Sequence, residues 1–378
     1  MPSFHWWIIR RVRAGHVSLV STDSRPDFER PDSVRSTALD HVSPTRTGGL
    51  TRRDVLMAAA AGLVIGAGSL IIPKRYFRMP QRSQVFVAKV AEYRLDIAAA
   101  IVSGIRELGI TSEDIKGKRI LLKPNLVETA SGAPHINTHP LVLRGAIEAF
   151  LKLGASAVMV AEGPGHRRDT LAIYEESGLA DVLTEDHIPF HDVNYITGYD
   201  LPNAGRQSRL KTLTFPGLFR EVDWIVSVAK MKTHHWAGVT LSMKNLFGVM
   251  PGMYYGWPKN VLHQVGIENS ILDINATLKP HFAIVDGIVG MEGDGPIMGD
   301  PRKVGALVMG RNLAAVDATC CRVMGIDPYQ VSYLERADNW LGPVSEESIE
   351  QRGEAINSVR TNFNLIESIP AHQGLRLA

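Results

Sequence analysis

From Gln84 onward the chain alternates between short apolar runs and longer stretches whose apolar positions recur at helical spacing. The runs at 85–90, 119–122, 157–161, 224–228, 282–285 and 304–309 predict buried strands, with less regular strands at 188–193 and 210–215. The spacing predicts helices over 97–108, 141–153, 261–278 and 313–324, and Pro280 stops the third of these. Residues 345–378 carry little pattern and read as a C-terminal extension of a domain spanning 84–344.

Short apolar strands separated by helices require cover on both faces. The pattern therefore predicts an α/β fold, a mostly parallel twisted sheet with helices on both faces, Rossmann-like. Parallel sheets bring the C-terminal ends of their strands to one edge, where ligands bind. Lys123, Glu162, Lys230 and Asp286 all fall at or just beyond such ends. The loops there are rich in Gly and Pro, which lets backbone amides approach a ligand closely.

The densest chemistry lies between Asp223 and Pro251, read as a buried strand that opens into a polar loop and then a helix. Lys230, Lys232, His234, His235 and Lys244 share this segment, a set suited to an anion, a metal or both. The stretch from Asp286 to Pro296 holds four glycines and three carboxylates, which suit a cation or acid/base chemistry as well as they suit a solvated lid. Gly163-Pro164-Gly165-His166-Arg167-Arg168 reads as an anion clamp or as plain surface charge. His135, His139 and His263 are further candidates. Asp317 sits mid-helix among apolar residues, where it must cap or pair to escape the cost of burial.

Composition narrows these options. Hydrophobic content of 45% and charged content of 21% suit a folded protein, and a net charge of +2 gives no argument for nucleic acid. The two cysteines, Cys320 and Cys321, are neighbours, so a disulfide scaffold is not expected and a four-thiolate iron–sulfur cluster has too few ligands. Residues 1–50 lack periodicity and read as a disordered leader or an upstream start codon wrongly chosen. Within 51–80, Thr51-Arg52-Arg53-Asp54-Val55-Leu56 resembles the twin-arginine export signal, with an apolar run over 57–72 closed by Lys74 and Arg75. The expected partner there is the twin-arginine translocation machinery. The expected location is the periplasm, free or tethered, with membrane contact only through this segment. Everything before about Gln84 is expected to pack on nothing.

Several motifs carry a family resemblance. Lys123-Pro124-Asn125, Lys230-Met231-Lys232-Thr233-His234, Thr240 through Lys244-Asn245 with Gly248, Asp286-Gly287 with Gly293, Gly295-Pro296 and Gly299, and Ala315-Val316-Asp317-Ala318 occur in one order. Together they resemble the bacterial and archaeal family called domain of unknown function 362, over residues 85–341. Many members carry a ferredoxin-like cysteine cluster, which this chain lacks. A second likeness is to the nickel-pincer lactate racemases: His234, Ala237-Gly238, Lys244, Pro251-Gly252 and His263. That resemblance implies that Lys244 holds a pyridinium-derived nickel cofactor, that His263 binds nickel and that His234 is an acid/base group. Ser242-Met243 stand where those enzymes have Gly-Gly, and Asn137-Thr138-His139-Pro140 is the nearest counterpart of their Asp-His-His-Thr-Arg segment.

The resulting expectation is a metal- or cofactor-dependent enzyme of isomerase or lyase type, acting on a small anionic molecule, a carboxylate or phosphate. Lys123, Asn125, Lys230, Lys232, Thr233 and His139 would bind the anion. His234, Lys244 and Asp286 would be catalytic. His263, His234 and Asp294 would hold a divalent metal or nickel-type cofactor. The competing class is a non-catalytic envelope protein that captures an anion. Two geometric expectations follow: Lys123, Lys230, Lys232, His234 and Asp286 line one crevice, and His234, Lys244 and His263 converge on one cavity.

Overall fold

A computed structural model describes residues 81–377 other than Leu95, Ala130, Ser131 and 166–168. The leader, the arginine pair and the apolar run after it lie outside the described residues, as do His166, Arg167 and Arg168. No helix among the described residues is long and apolar enough to cross a membrane.

Eleven strands follow in chain order: β1 (Ser83–Lys89), β2 (Arg119–Pro124), β3 (Ala157–Glu162), β4 (Phe190–Asp192), β5 (Gly198–Pro202), β6 (Thr212–Pro216), β7 (Trp224–His234), β8 (Gly238–Thr240), β9 (Phe282–Glu292), β10 (Asp300–Gly310) and β11 (Ile349–Gly353). Nine of them form one sheet in the order β11-β1-β10-β9-β7-β2-β3-β4, with β8 paired to β7, and β5 and β6 make a separate hairpin. Pairings β2–β3, β2–β7, β3–β4, β7–β9 and β1–β11 are parallel. β10 runs against both its neighbours, and β8 runs against β7. The sheet is therefore mixed but mostly parallel.

Four longer helices cover it: α1 (Ile97–Glu107), α2 (Pro140–Lys152), α3 (Ile267–Leu278) and α4 (Leu313–Val323). Strand side chains alternate between two cores, as a pleated strand requires. Val226, Val228, Phe282 and Ile284 join the apolar faces of α1 and α2. Ile225, Ala283 and Val285 join those of α3 and α4 on the other side.

Three departures from the sequence reading matter. β7 does not stop near 228; all eleven of its residues through His234 are buried, so Lys230, Lys232 and His234 lie on a central strand rather than a loop. β9 likewise runs through Asp286 to Glu292. Polar side chains ended the apolar pattern in the sequence, but internal partners let both strands continue. The helix expected over 261–278 is two helices, Asn260–Gln264 and α3, separated at Gly266, whose φ of 98° only glycine adopts readily. The weakly patterned 345–378 segment supplies β11, paired along β1 at the sheet edge. An edge strand is held by backbone bonds and keeps exposed side chains, so it leaves little hydrophobic signature.

Candidate functional site

The C-terminal edge of the sheet carries two groups of buried charge. In the first, Lys230 Nζ lies 2.6 Å from Asp286 Oδ2, and both side chains are fully buried. The same ammonium donates to Tyr93 Oη at 3.1 Å, Pro134 O at 2.7 Å and Val289 O at 3.2 Å. Asp286 accepts from Tyr93 Oη, the His139 amide and the Ile288 amide. His139 stacks on Tyr93 with ring centroids 3.6 Å apart, and its Nδ1 accepts from the Leu141 amide at the start of α2. Burial pushes its imidazole down to about 4. Within this group the Lys230–Asp286 pair is fully buried and ringed by partners.

The second group begins at Lys123, at the end of β2. Its Nζ lies 2.5 Å from Glu162 Oε2 and donates to Asn245 Oδ1 at 2.8 Å. Glu162 also accepts from the Gly163 and Leu126 amides. Burial disfavours charge on Lys123 and Glu162 alike, while their mutual attraction favours it. Gly248 packs against this pair so closely that a Cβ would collide with Glu162 Oε1 and Lys123 Nζ.

Two residues beyond Lys230 on β7, Lys232 donates to Ile136 O at 2.9 Å and Pro296 O at 3.1 Å. It has no carboxylate within ion-pairing distance among the described residues. Burial, with repulsion from Lys244, Lys230 and Lys123, drives its pKa well below the usual lysine value. His234 ends the strand. Its Nδ1 accepts from the Trp236 amide at 3.0 Å and the Ala237 amide at 3.2 Å, so a neutral ring carries its proton on Nε2. Burial and the neighbouring cations hold this imidazole far below its ordinary pKa, hence neutral near pH 7. Thr233, on the opposite face of β7, donates to Gly293 O at 2.7 Å and pins the loop after β9.

A short helix, Ser242–Asn245, carries Lys244 and Asn245. Asp317 of α4 holds its N-terminus, accepting from the Ser242 amide at 2.8 Å, Ser242 Oγ at 2.5 Å and the Met243 amide at 2.9 Å. Burial lifts this carboxyl to about 7. The polar residue read mid-helix is thus a cap for another helix. Lys244 Nζ sits 5.3 Å from the centroid of the Phe247 ring, and burial and Lys123 bring its pKa down to about 8.

A cavity of about 540 Å³ opens between these elements. Lys123, Asn125, Lys232, His234, Lys244 and His263 line it, with Asp294 at its rim. His234, Lys244 and His263 therefore share one cavity, and Lys123 and His234 lie on its wall together. Lys230, Asp286, Thr233 and His139 do not line it. Their expected place in this cavity is corrected: Lys230, Asp286 and Thr233 spend their polar atoms on partners inside the fold, and His139 lines a separate hollow beside Tyr93. A hollow of about 600 Å³ near Arg82, Gln84 and Arg311 is slightly larger, but it lies at the start of β1 and has no buried charge cluster.

Sequence reasoning overlooked Lys259, which also lines the cavity. It follows Trp257-Pro258, has a left-handed φ of 65°, and donates to Asn194 Oδ1 at 3.1 Å and to Met250 O. Burial brings its pKa down to about 7. A lone lysine after a Trp-Pro pair gives no pattern by which to find it. Asn125 Oδ1 and Thr240 Oγ1, both buried and both on residues lining the cavity, have no hydrogen-bond partner. Buried polar atoms ordinarily have one, so these two suit a ligand.

The expected metal set does not assemble. His234 Nδ1 is taken by two amides, His263 Nδ1 lies 3.1 Å from Lys259 O, and Asp294 Oδ1 lies 3.3 Å from His235 Nδ1. Among the described residues no three His, Cys, Asp or Glu side chains come together as a cation site.

The chain is 27% identical to a thylakoid-associated protein of Synechocystis sp. over 263 residues, 66% of this chain and 77% of that one. Among solved structures, the lactate racemase apoprotein of Thermoanaerobacterium thermosaccharolyticum aligns at 17% identity and a TM-score of 0.38, over 66% of this chain and 59% of that one. A Thermotoga maritima protein aligns at 15% identity and a TM-score of 0.35, over 59% and 58%. The chain thus spans less than two thirds of either solved structure. A match to the domain of unknown function DUF362 runs over residues 120–322, more than half of the chain, from β2 through most of α4 and across every wall of the cavity. The protein belongs to the DUF362 family.

Proposed function

We propose that the protein is an enzyme that binds a small anion, a carboxylate or phosphate, in the cavity at the ends of β2 and β7 and performs acid/base chemistry on it. The observation that carries this reading is a set of buried lysines without ion-pair partners. Lys232, Lys244 and Lys259 line one cavity, and none has a carboxylate within ion-pairing distance among the described residues. An anion entering there supplies a counter-charge, Thr240 Oγ1 can donate to it, and Asn125 Oδ1, an acceptor, suits a hydroxyl of the same ligand.

Roles follow from protonation. The neutral His234 presents Nε2–H, a donor suited to an oxygen on which negative charge develops. Lys244, at about 8, is partly unprotonated near neutral pH and suits the base that removes a proton. Lys232 holds the anion, and the Lys123–Glu162 pair fixes Asn245 and the cavity floor. A lysine-held nickel cofactor would draw on Lys244 and His263, which both line the cavity, and the roles above do not depend on it. Export is proposed on Thr51-Arg52-Arg53-Asp54-Val55-Leu56 alone. Replacing both arginines by lysine should leave the protein in the cytoplasm on fractionation.

The test is deuterium uptake. The purified protein is incubated with 2-hydroxy and 2-oxo acids in D₂O, and loss of the C2 proton of the hydroxy acids or the C3 protons of the oxo acids is followed by NMR. Uptake that disappears in Lys244→Ala and His234→Ala supports the enzyme. Calorimetric binding without uptake in any acid favours the non-catalytic binding protein, and absence of any binding overturns both.

A further inference from the structure

The cavity has an apolar lining that a small anion leaves uncovered. Between and beyond the lysines its lining is apolar: Leu126, Val127, Phe247, Pro258, Ile297 and Met298, with Phe247 beside Lys244 and Pro258 next to Lys259 in the chain. Its volume of about 540 Å³ falls in the range of roughly 300–1,000 Å³ that encloses drug-sized ligands. A phosphate ion or a three-carbon acid fills little of that space.

The mouth extends the apolar wall into solvent. Trp236 is 60% exposed and Met298 78% exposed, although both line the cavity. Trp236 is also held in place. Its ring stands edge-on to His263 at 5.5 Å and to His235 at 4.8 Å, and its amide is tied to His234 Nδ1. A large aromatic fixed in the open, at the rim of a half-apolar cavity, suits a surface that a ligand covers. Buried in the same lining are the partnerless Thr240 Oγ1, opposite Lys232 in the β7–β8 register, and Asn125 Oδ1.

From this mixed lining we infer that the ligand is an amphiphilic anion: a carboxylate or phosphate monoester whose head meets Lys232 within reach of Lys244 and whose apolar body, aromatic or an alkyl chain of several carbons, runs along Phe247 and Ile297 to Trp236 and Met298. The inference rests on the anion-binding reading above and specifies its substrate class.

Calorimetry on the full chain with two homologous series tests it: acetate, butyrate, hexanoate and octanoate, then inorganic phosphate, butyl phosphate and hexyl phosphate. Affinity should rise roughly three- to fourfold per added methylene until the wall is covered, the factor that about 0.8 kcal/mol per buried CH₂ gives. In Trp236→Ala and Met298→Ala, two exposed positions that should not disturb folding, the ratio of octanoate to acetate affinity should fall about tenfold. Lys232→Met should weaken every member. Affinity independent of length, with phosphate or acetate still bound, overturns this inference and leaves the anion site standing. Octanoate binding that Lys232→Met leaves intact marks adventitious apolar adsorption and also overturns it. Failure of every member to bind removes the anion reading itself.

Discussion

Lys230 and Lys232 are two residues apart on one buried strand, yet their surroundings differ in kind. Lys230 meets a carboxylate, a phenol and two carbonyls, and its partner Asp286 is bonded in turn by Tyr93 and two amides. Lys232 meets two carbonyls and no carboxylate, and the cavity it lines contains Lys244, Lys259 and two partnerless polar atoms. Burial is nearly equal, so burial does not separate a structural charge from one held ready for a ligand. Completeness of the partner set does. A saturated ion pair locks β7 to β9 and to the loop before α2, whereas an unsaturated group has bonding capacity left for something that is not part of the chain.

The largest effect that this contrast predicts lies on the closed side. Asp286→Ala leaves Lys230 buried without its counter-charge and should cost about 3–5 kcal/mol in urea unfolding. Anion affinity of the folded variant should stay within about twofold, because the pair does not line the cavity. A tenfold loss of affinity would erase the distinction between the two groups.

Asp317→Ala removes the acceptor for two amides and a hydroxyl, and should cost about 2–3 kcal/mol. It should also weaken anion binding, since the helix it caps carries Lys244 and Asn245. Stability loss with unchanged affinity would mean that Lys244 is positioned by other contacts.

On the open side the order reverses. Lys232→Met should lower anion affinity about tenfold, or about 1.4 kcal/mol, while stability changes by less than about 1 kcal/mol, because the buried charge it removes has no ionic partner. A stability loss as large as that of Asp286→Ala would show Lys232 to be structural too.

The smallest effect is on pH dependence. Lys244 titrates at about 8 in the fold, below its ordinary value; its free amine is the form that removes a proton, while its ammonium attracts an anion more strongly. Affinity for a carboxylate should therefore fall as pH rises through about 8, roughly fourfold between pH 7 and 8.5. Lys244→Met should flatten that part of the profile. In the free protein the sign for stability is opposite. The unfolded chain binds the extra proton between about 8 and the ordinary lysine range, so this residue's contribution to stability improves with rising pH there.

The hydrophobic pattern by itself determined the layer architecture. Apolar strands such as 224–228 and 282–285, alternating with amphipathic helices, are stable only as a sheet covered on both faces. The same pattern brought Lys123, Lys230, Lys232 and His234 to one sheet edge, because parallel strands end together. It could not extend β7 to His234 or β9 to Glu292, since a lysine or aspartate in a strand is tolerated only when a partner waits inside, and that partner is remote in sequence: Asp286 for Lys230, Glu162 for Lys123. For the same reason it could not separate Lys230 from Lys232, which look alike in the motif. It missed Lys259, placed by a turn rather than by periodicity, and it left Asp317 undecided because the amides that Asp317 caps are more than seventy residues away. Saturation of a charge is a sum over contacts from many segments, and only the tertiary structure performs that sum.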